Sequence, residues 1–302
     1  MTTVCGIVLL DKPAGLSSNA ALQRVKRLYG IRKAGHTGNL DPLASGMLPV
    51  CLGEATKIAG ALLDARKQYR FTIHLGERTV SGDAEHEVIE RRTVPHIDIA
   101  GIDTVLAGFL GKRSQVPPMH SAVKHEGERL YRLARRGIEV ARVARDIDIT
   151  RLAVEQWEAP FLTLVVTCSK GTYVRVLAEE IAAALGTCGH VVGLHRAWTA
   201  PFENDAMVAL DRLEQADAAE LLRWLLPIDH PLQSRPRVDL AAEEARRVLH
   251  GQVIVINRWA AGDAGAGPTE VRLYGPQSLF IGLGVMGPEG RLRPKRLMEL
   301  GL

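Results

Sequence analysis

Hydrophobic and polar positions along the chain follow two periodicities, one typical of strands and the other typical of helices. The short, largely apolar run 4–10 predicts a buried strand. From Tyr69 to Leu75 apolar side chains alternate with polar ones, which predicts a strand with one apolar face. Behind the N-cap candidates Ser17, Ser18 and Asn19, apolar residues recur every three or four positions as far as Tyr29, which predicts an amphipathic helix.

The rest of the chain predicts a mixture of helices and strands. Helices are predicted at 55–63, 126–136, 176–185, 208–226 and 241–250, and strands at 161–167, 172–174, 253–256, 271–274 and 279–285. The glycine- and proline-rich residues 34–54 and the polar residues 77–92 predict loops. After residue 234 the strands are short and separated by turns such as 262–268, which predicts a small C-terminal β-barrel.

Composition narrows the class of protein. A length of 302 residues favours about two domains, and 46% hydrophobic with 24% charged residues is typical of a soluble globular chain. Apolar runs are too short for a transmembrane helix, and no basic segment precedes the first one as in a secretory signal. The cysteines lack the spacing of a zinc site, so we expect reduced thiols in a cytoplasmic protein.

The charge is unevenly distributed, although the net charge is only +4. Residues 1–80 carry 11 basic and 5 acidic side chains, and residues 106–175 carry 12 and 7, with an acidic segment between them. Two basic blocks of this kind indicate a positive face that would attract nucleic acid. The alternative, that these charges lie on solvated helix faces, stays open at this point. The aromatic content of 5% argues against a single-strand binder that depends on base stacking.

Two short segments carry candidate chemistry. Residues 35–46 contain a single carboxylate, Asp41, with Pro42 after it and glycines that allow close approach of a ligand. Asp41 is either a functional carboxylate or a residue that caps a turn. In the second segment Tyr173 and Arg175 lie two apart on a predicted strand and so share a face. They could hold a carboxylate and a flat ring, or be a half-buried tyrosine and a surface arginine.

Motifs distributed over nearly the whole chain carry a resemblance to a known family. They are GIVLLDKPAG from residue 6, HTGNLDPLASGMLPVCLGEATK from 36, KQYRFTIHLGERTVSGDAE from 67, QVPPMHSAVK from 115, SKGTYVR from 169, GHVVGLHR from 189 and RLRPKRLM from 291. With these motifs the chain resembles the TruB family of pseudouridine synthases, whose bacterial members convert uridine 55 in the T-loop of tRNA to pseudouridine.

The resemblance implies an α+β protein with two domains. Residues 1–233 would form a pseudouridine-synthase-type catalytic domain with a mixed, mostly antiparallel sheet and an RNA-binding insertion near 112–145. Residues 234–302 would form a PUA-like RNA-binding β-barrel. The reaction is an isomerisation, so the resemblance implies no metal and no cofactor. The implied partner is the T arm of tRNA, and we expect a monomer with no obligate protein partner and no membrane association.

The resemblance also implies roles for individual residues. Asp41 matches the catalytic aspartate, which attacks C1′, attacks the base or abstracts a ribose proton. Arg175 matches the arginine that pairs with this aspartate, and we expect it to lower the aspartate pKa. Tyr69 matches the tyrosine that packs against the target base, although its place on an alternating strand also fits a plain core residue. Tyr173 and Leu194 match residues that line the uracil.

Further matches concern RNA binding. His36 matches the residue that enters the T-loop stack when the target base flips out, and Lys12 is expected to contact phosphate. The chain departs from the family pattern at His120, His195 and Ala200, which affects details of the pocket and not the reaction. Two alternatives stay open: an RNA-binding protein or tRNA folding chaperone, and a guide-RNA-dependent relative that works with partner proteins.

Overall fold

The computed structural model describes residues 4–259 and 267–299. The helices are α1 (Ser18–Leu28), α2 (Ala59–Leu63), α3 (Ile99–Ala107), α4 (Leu130–Arg135), α5 (Val174–Ala184), α6 (Leu210–Gln215), α7 (Ala218–Arg223) and α8 (Ala242–Leu249). Strands β1 to β9 are Gly6–Lys12, Ala34–His36, Ser45–Leu52, Lys67–Leu75, Glu77–Thr79, Val88–Arg91, Gly111–Gln115, Lys124–His125 and Glu128–Arg129. Strands β10 to β18 are Arg145–Glu158, Phe161–Cys168, Gly189–Thr199, Val208–Ala209, Arg237–Asp239, Ile254–Val255, Thr269–Tyr274, Phe280–Met286 and Arg291–Leu297.

The larger sheet runs in the order β13-β1-β3-β12-β4-β11-β10-β7, with β2 paired to β3. The pairs β1–β13 and β3–β12 are parallel and the other pairs are antiparallel. The sheet is therefore mixed and mostly antiparallel, as expected. Its central strands β3, β12 and β4 bring three distant parts of the sequence side by side.

Strand β1 is buried on both faces, which explains its apolar sequence. Val8 and Leu10 pack with Val25 of α1 in one hydrophobic cluster. Ile7 and Leu9 point the opposite way and pack in a second cluster, to which the C-terminal part of the chain contributes Tyr274, Phe280, Leu283 and Met298. The predicted strand is confirmed, and a sheet sandwiched between two cores is the reason that its sequence does not alternate.

The strongest periodic signals are also confirmed. Helix α1 begins where the Ser17 hydroxyl accepts the N–H of Ala20 at 3.1 Å, and it ends before Gly30, whose φ is +62°. In β4 the residues from Lys67 to Leu75 alternate between buried and more exposed positions, as the sequence predicts. The predicted strand 161–167 and the helices 176–185 and 241–250 correspond to β11, α5 and α8.

Several predictions of local structure are wrong. Residues 34–54, predicted as a loop, contain β2 and β3, because residues 46–52 pair with β1 and residues 50–52 also pair with β2, despite the glycines and prolines of the segment. Residues 77–92, also predicted as a loop, form the hairpin β5–β6. The predicted strand 172–174 leads directly into α5, whose buried stripe extends back to Val174. The predicted helix 208–226 is two short helices, because Asp217 caps a new start by accepting the N–H of Glu220 at 2.8 Å.

The C-terminal part of the chain forms a second sheet in the order β14-β16-β17-β18-β15, with α8 packed against it. Strands β14 and β18 were not predicted, and β14 pairs in parallel with β16. Residues 262–266 of the predicted turn 262–268 lie outside the described residues. The domain boundary between residues 233 and 234 stays a prediction. Of the helices in the described ranges, none combines the length and apolarity that crossing a membrane requires.

Ionic contacts join the end of the C-terminal sheet to the segment after β3. Lys57 Nζ donates to the Leu297 carbonyl at 2.8 Å and contacts Glu299 Oε1 at 3.0 Å. Glu54 accepts the backbone N–H of Glu299 at 2.8 Å and pairs with Lys33 at 3.0 Å. Although partial burial acts in the other direction, the hydrogen bonds from Glu299, Lys57 and Lys33 lower the pKa of Glu54 to about 2.

We expect Glu54→Gln to lower the free energy of unfolding by about 1–2 kcal/mol at pH 7, since the carboxylate accepts several charge-assisted hydrogen bonds. The pKa falls from an ordinary 4.5 to about 2 on folding, so the stabilisation is complete above about pH 4.5 and is lost as the pH falls through about 2. Urea unfolding at decreasing pH should show that the difference in free energy of unfolding between wild type and variant becomes smaller. Glu243→Gln, in an exposed pair with Arg246, is the control and should change the free energy of unfolding far less, because water screens an exposed pair. If the difference in free energy of unfolding is the same at every pH, the destabilisation by Glu54→Gln comes from packing and not from the charge.

Candidate active site

A cavity of about 230 Å³ opens between the loop after β2, strand β4, the start of α5 and strand β12. Its walls contain five of the residues that the sequence comparison with the family singled out, namely Asp41, Tyr69, Tyr173, Arg175 and Leu194. These residues come from four separate segments of the chain. The sheet order, which places β12 beside β4, is what brings them together.

The loop that carries Asp41 is held in place by the start of α1. The buried Ser18 hydroxyl accepts the N–H of Leu40 at 2.7 Å and donates to the Leu40 carbonyl at 3.0 Å. The Asp41 backbone carbonyl accepts the N–H of Ala44 at 3.1 Å, which closes a turn. The backbone of Asp41 therefore belongs to a turn, while its carboxylate faces Arg175. The carboxylate is thus paired with Arg175, and a functional role for Asp41 stays a prediction at this point.

Gly46 permits a close approach of two strands just after this loop. Its φ is +100°, and a Cβ there would lie 2.3 Å from the carbonyl oxygen of Arg196. We expected the glycines of this segment to make room for a ligand. At Gly46 that expectation is wrong, because the space is taken by the backbone of β12.

Arg175 lies between two carboxylates at one wall of the cavity. Its Nη2 is 3.0 Å from Asp41 Oδ2, and its Nη1 is 3.4 Å from Asp83 Oδ2. The same nitrogens donate to the backbone carbonyls of Ser81 at 3.0 Å and His120 at 2.7 Å. Four partners therefore fix the guanidinium, and the Arg175 side chain is only 5% exposed. The surface-arginine interpretation of this residue is wrong.

The pKa of Asp41 is raised, whereas we expected its pairing with Arg175 to lower it. Burial has the largest effect and raises the pKa, the charge of Arg175 lowers it, and the nearby Asp83 raises it again. The net direction is upward from the ordinary value of 3.8. Arg175 acts with the expected sign, but desolvation of the carboxylate outweighs it.

Tyr69 is both a core residue and a wall of the cavity. It is 8% exposed and packs within the main hydrophobic cluster, and its ring also borders the cavity. Burial raises the pKa of its hydroxyl, and the charge of Arg196 opposes that effect. On β4 the residue sits opposite Val166 of β11 and Arg196 of β12, so both neighbouring strands fix its position.

Tyr173 precedes the first turn of α5 and does not share a strand face with Arg175. Its backbone is fixed by the buried side chain of Gln115, which accepts the Tyr173 N–H at 2.8 Å and donates to the Tyr173 carbonyl at 3.3 Å. Leu194 projects from β12 and is half-buried. The two residues border the same cavity from different elements.

Two predicted RNA-binding residues lie outside the cavity walls. Lys12 is fully buried, and its Nζ donates to the carbonyls of Pro13 at 2.8 Å and Leu16 at 2.6 Å. Burial lowers the pKa of Lys12 to about 8. A phosphate contact is not available to Lys12 in this conformation, which is a correction to the sequence-based expectation. His36 ends β2 and is half-buried, and its Nδ1 makes no hydrogen bond to any described residue.

The departures from the family pattern leave the Asp41–Arg175 pair intact. His120 contacts Arg175 through its backbone carbonyl, so the identity of its side chain does not enter that contact. Its ring lies 4.8 Å from that of His86. His195 accepts or donates a hydrogen bond at 3.0 Å with the Ser45 hydroxyl.

Four functional candidates were missed in the sequence. They are Asp83, which contacts Arg175, Gln115, which fixes Tyr173, and two buried cations in the cavity wall, Lys67 and Arg196. Each lies inside or at the end of a motif that carries the resemblance, which was the available signal. Within residues 4–259 and 267–299, no group of three His, Cys, Asp or Glu side chains is arranged to hold a metal ion.

The structure resembles solved structures at low sequence identity. The crystal structure of a Cbf5-Nop10-Gar1 complex contains a chain with a TM-score of 0.69 and 23% identity, covering 97% of this chain and 84% of that one. The structure of an H/ACA RNP bound to a substrate RNA containing 2′-deoxyuridine gives a TM-score of 0.71 at 22% identity, with the same coverage. These similarities confirm the predicted fold class. The C-terminal sheet corresponds to a PUA-like half-barrel.

Family models and curated relatives match along the chain. Models described as TruB family pseudouridylate synthase (N terminal domain), tRNA pseudouridylate synthase B C-terminal domain, and Pseudouridine synthase II TruB, C-terminal match residues 26–174, 175–233 and 236–298. A protein named tRNA pseudouridine synthase B from Chromohalobacter salexigens is 49% identical, covering 99% of this chain and 95% of the relative. One of the same name from Legionella pneumophila (strain Lens) is 46% identical, covering 99% and 97%. The chain therefore belongs to the TruB family of pseudouridine synthases.

Proposed function

We propose that this chain isomerises uridine 55 in the T-loop of tRNA to pseudouridine, as a cytoplasmic monomer that needs no guide RNA, cofactor or obligate protein partner. The observation that carries the proposal is the Asp41–Arg175 ion pair at 3.0 Å in a cavity walled by Tyr69, Tyr173 and Leu194. The names of the relatives, which are tRNA pseudouridine synthases, support tRNA as the substrate.

The chemistry of the cavity suits an isomerisation. The N1–C1′ bond of uridine breaks, the base turns, and a C5–C1′ bond forms, so that no atom enters or leaves except protons. Asp41 serves the reaction as a nucleophile at C1′, as a nucleophile at the base, or as the base that removes a ribose proton. Arg175 orients the carboxylate and keeps part of its negative charge stabilised inside the cavity.

A uridine in a stacked loop has to flip out before it can reach this cavity, at a cost of a few kcal/mol. His36 lies at the end of β2, at the start of the loop that leads to Asp41. We assign its ring to the position in the T-loop stack that the flipped uridine vacates. Exposed arginines of the 112–145 insertion and of the C-terminal sheet supply phosphate contacts, namely Arg129, Arg132, Arg135, Arg291 and Arg293.

The first test is tritium release from a tRNA transcript labelled at C5 of uridine. The wild type should release about one equivalent per tRNA, because C5 must lose its hydrogen when it becomes the glycosidic carbon. Asp41→Asn should release none while it still binds tRNA. A transcript with cytidine at the target position is the matched substrate control and should release none with either protein. Binding by the wild type without release would favour an RNA-binding protein or a partner-dependent enzyme.

The pH dependence of the single-turnover rate tests the electrostatics of Asp41. The carboxylate must be ionised, so the rate should fall as the pH drops through a pKa above the ordinary 3.8. Arg175→Met removes a positive charge and should move this acid limb to higher pH, whereas Asp83→Asn removes a negative charge and should move it to lower pH. Circular dichroism confirms that both variants are folded. Acid limbs that do not move in opposite directions would contradict this account of the site.

Tyr69→Phe separates the two roles of this residue. The ring stays in the core, so we expect the free energy of unfolding to change by less than about 1 kcal/mol. If the hydroxyl takes part in proton removal from C5, tritium release should fall by a factor of about 100 or more. A variant with the wild-type release rate would leave Tyr69 as a packing residue only.

A further inference from the structure

Two buried cations lie side by side in the wall of the cavity. Lys67 is 7% exposed and Arg196 is 0% exposed, and both border the cavity that contains Asp41 and Tyr69. A Cβ built on Gly38 would lie 3.5 Å from Arg196 Nη1 and 3.5 Å from Lys67 Cε, so the two side chains flank Gly38 together. Their charges lie close enough for each to oppose the other.

Neither cation forms an ion pair with a carboxylate in the described part of the chain. Asp41 and Asp83 contact Arg175, and Asp64, the carboxylate near Lys67, pairs with Lys170 at 2.8 Å. The Cys168 thiol beside Lys67 stays neutral, because burial raises its pKa to about 11.

Backbone carbonyls hold the two cations instead. Lys67 Nζ donates to the carbonyls of Ala65 at 2.7 Å and Leu63 at 3.3 Å, which uses two of its three N–H groups. The guanidinium of Arg196 donates to the carbonyls of Met47 at 2.6 Å, Gly38 at 3.3 Å and Asn39 at 3.4 Å. It has five N–H groups, so donors are left over on both side chains.

Burying charge without a counterion is costly, and most buried cations in proteins are paired. Two adjacent ones in the wall of a cavity therefore indicate a site prepared for a negative charge that arrives with the substrate. Asp41 and Arg175 line one wall of the cavity as an ion pair, whereas Lys67 and Arg196 line another wall and carry positive charge without a paired carboxylate among the described residues.

We propose that Lys67 and Arg196 bind the uracil ring as an anion while its glycosidic bond is broken. This rests on the function proposed above and adds catalytic residues to it. When the N1–C1′ bond breaks, the electron pair stays with N1, and the negative charge spreads over N1, O2 and O4. The ring gives the charge back when C5 attacks C1′, C5 loses its proton and N1 gains one. Donors aimed at charge that develops in the reaction accelerate it strongly.

A phosphate of the tRNA backbone is a poorer occupant of this site. Phosphates lie on the surface of folded RNA and meet side chains at the rim of a cavity, where Lys170 has 58% of its side chain exposed. Lys67 and Arg196 are nearly inaccessible from outside, so a group that contacts them must enter the cavity. A flipped base does so.

The test compares Lys67→Met, which keeps length and loses charge, with Lys67→Arg, which keeps charge. Single-turnover rates at saturating enzyme are measured on tRNA with uridine and on tRNA with 5-fluorouridine at the target position, following loss of the target nucleoside after digestion. With uridine, Lys67→Met should be slower by about 100-fold, and Lys67→Arg should recover most of that loss. Because fluorine stabilises the departing anion, the loss in Lys67→Met should be several-fold smaller with 5-fluorouridine.

Two controls separate this role from a structural one. Lys57→Met also removes a lysine bonded to a backbone carbonyl, but one that does not line the cavity, and it should lower the free energy of unfolding without changing the saturated rate. The wild-type rate should fall above about pH 8, where Lys67 loses its charge, and Lys67→Arg should remove that fall. The inference is overturned if Lys67→Met loses the same factor in rate with both substrates, or loses none with uridine. In either case a wild type that forms pseudouridine still supports the proposed function. A wild type that forms no pseudouridine would instead overturn the proposed function.

Discussion

The site depends on the contacts that the buried guanidinium of Arg175 makes. It joins the loop that carries Asp41 to Asp83 and to the backbone at Ser81 and His120. These partners come from three segments that share no strand pairing with one another. Removing one partner leaves a buried charge short of its compensation, which is far costlier than losing an exposed pair. Arg175 therefore holds these segments in position around the cavity and also places a charge beside Asp41.

The sheet supplies the rigid frame for this contact. Strand β4 presents Tyr69, β12 presents Leu194 and Arg196, and α5 follows β11 to present Arg175. Side chains on central strands are held by neighbours on both sides, so their positions are well determined. The loop with Asp41 lacks that support and obtains it from Ser18, whose hydroxyl binds both backbone groups of Leu40.

Periodicity alone predicted the elements that are long and amphipathic, such as α1 and β4, because their buried faces repeat within the sequence. It failed at β3, where both faces are buried, and at 172–174, where three residues carry no period. The resemblance placed Asp41, Tyr69 and Arg175 in one cavity. The burial of Lys12, the contact of Asp83 with Arg175 and the burial of the Lys67 and Arg196 charges depend on distant parts of the chain. No local pattern encodes such contacts.

Gln115 has a mechanical consequence. It ends β7, near the start of the 112–145 insertion that carries the exposed arginines. Gln115 makes two hydrogen bonds to Tyr173, and the carbonyl of His120 accepts one from Arg175. The start of the insertion is therefore bonded directly to two residues that line the cavity. Under the proposed function, an RNA arm that binds this segment would also act on the spacing of the groups around the base. On that proposal, recognition of the whole arm and alignment of one nucleotide are coupled, so that binding energy from contacts far from the base improves the fit at the base.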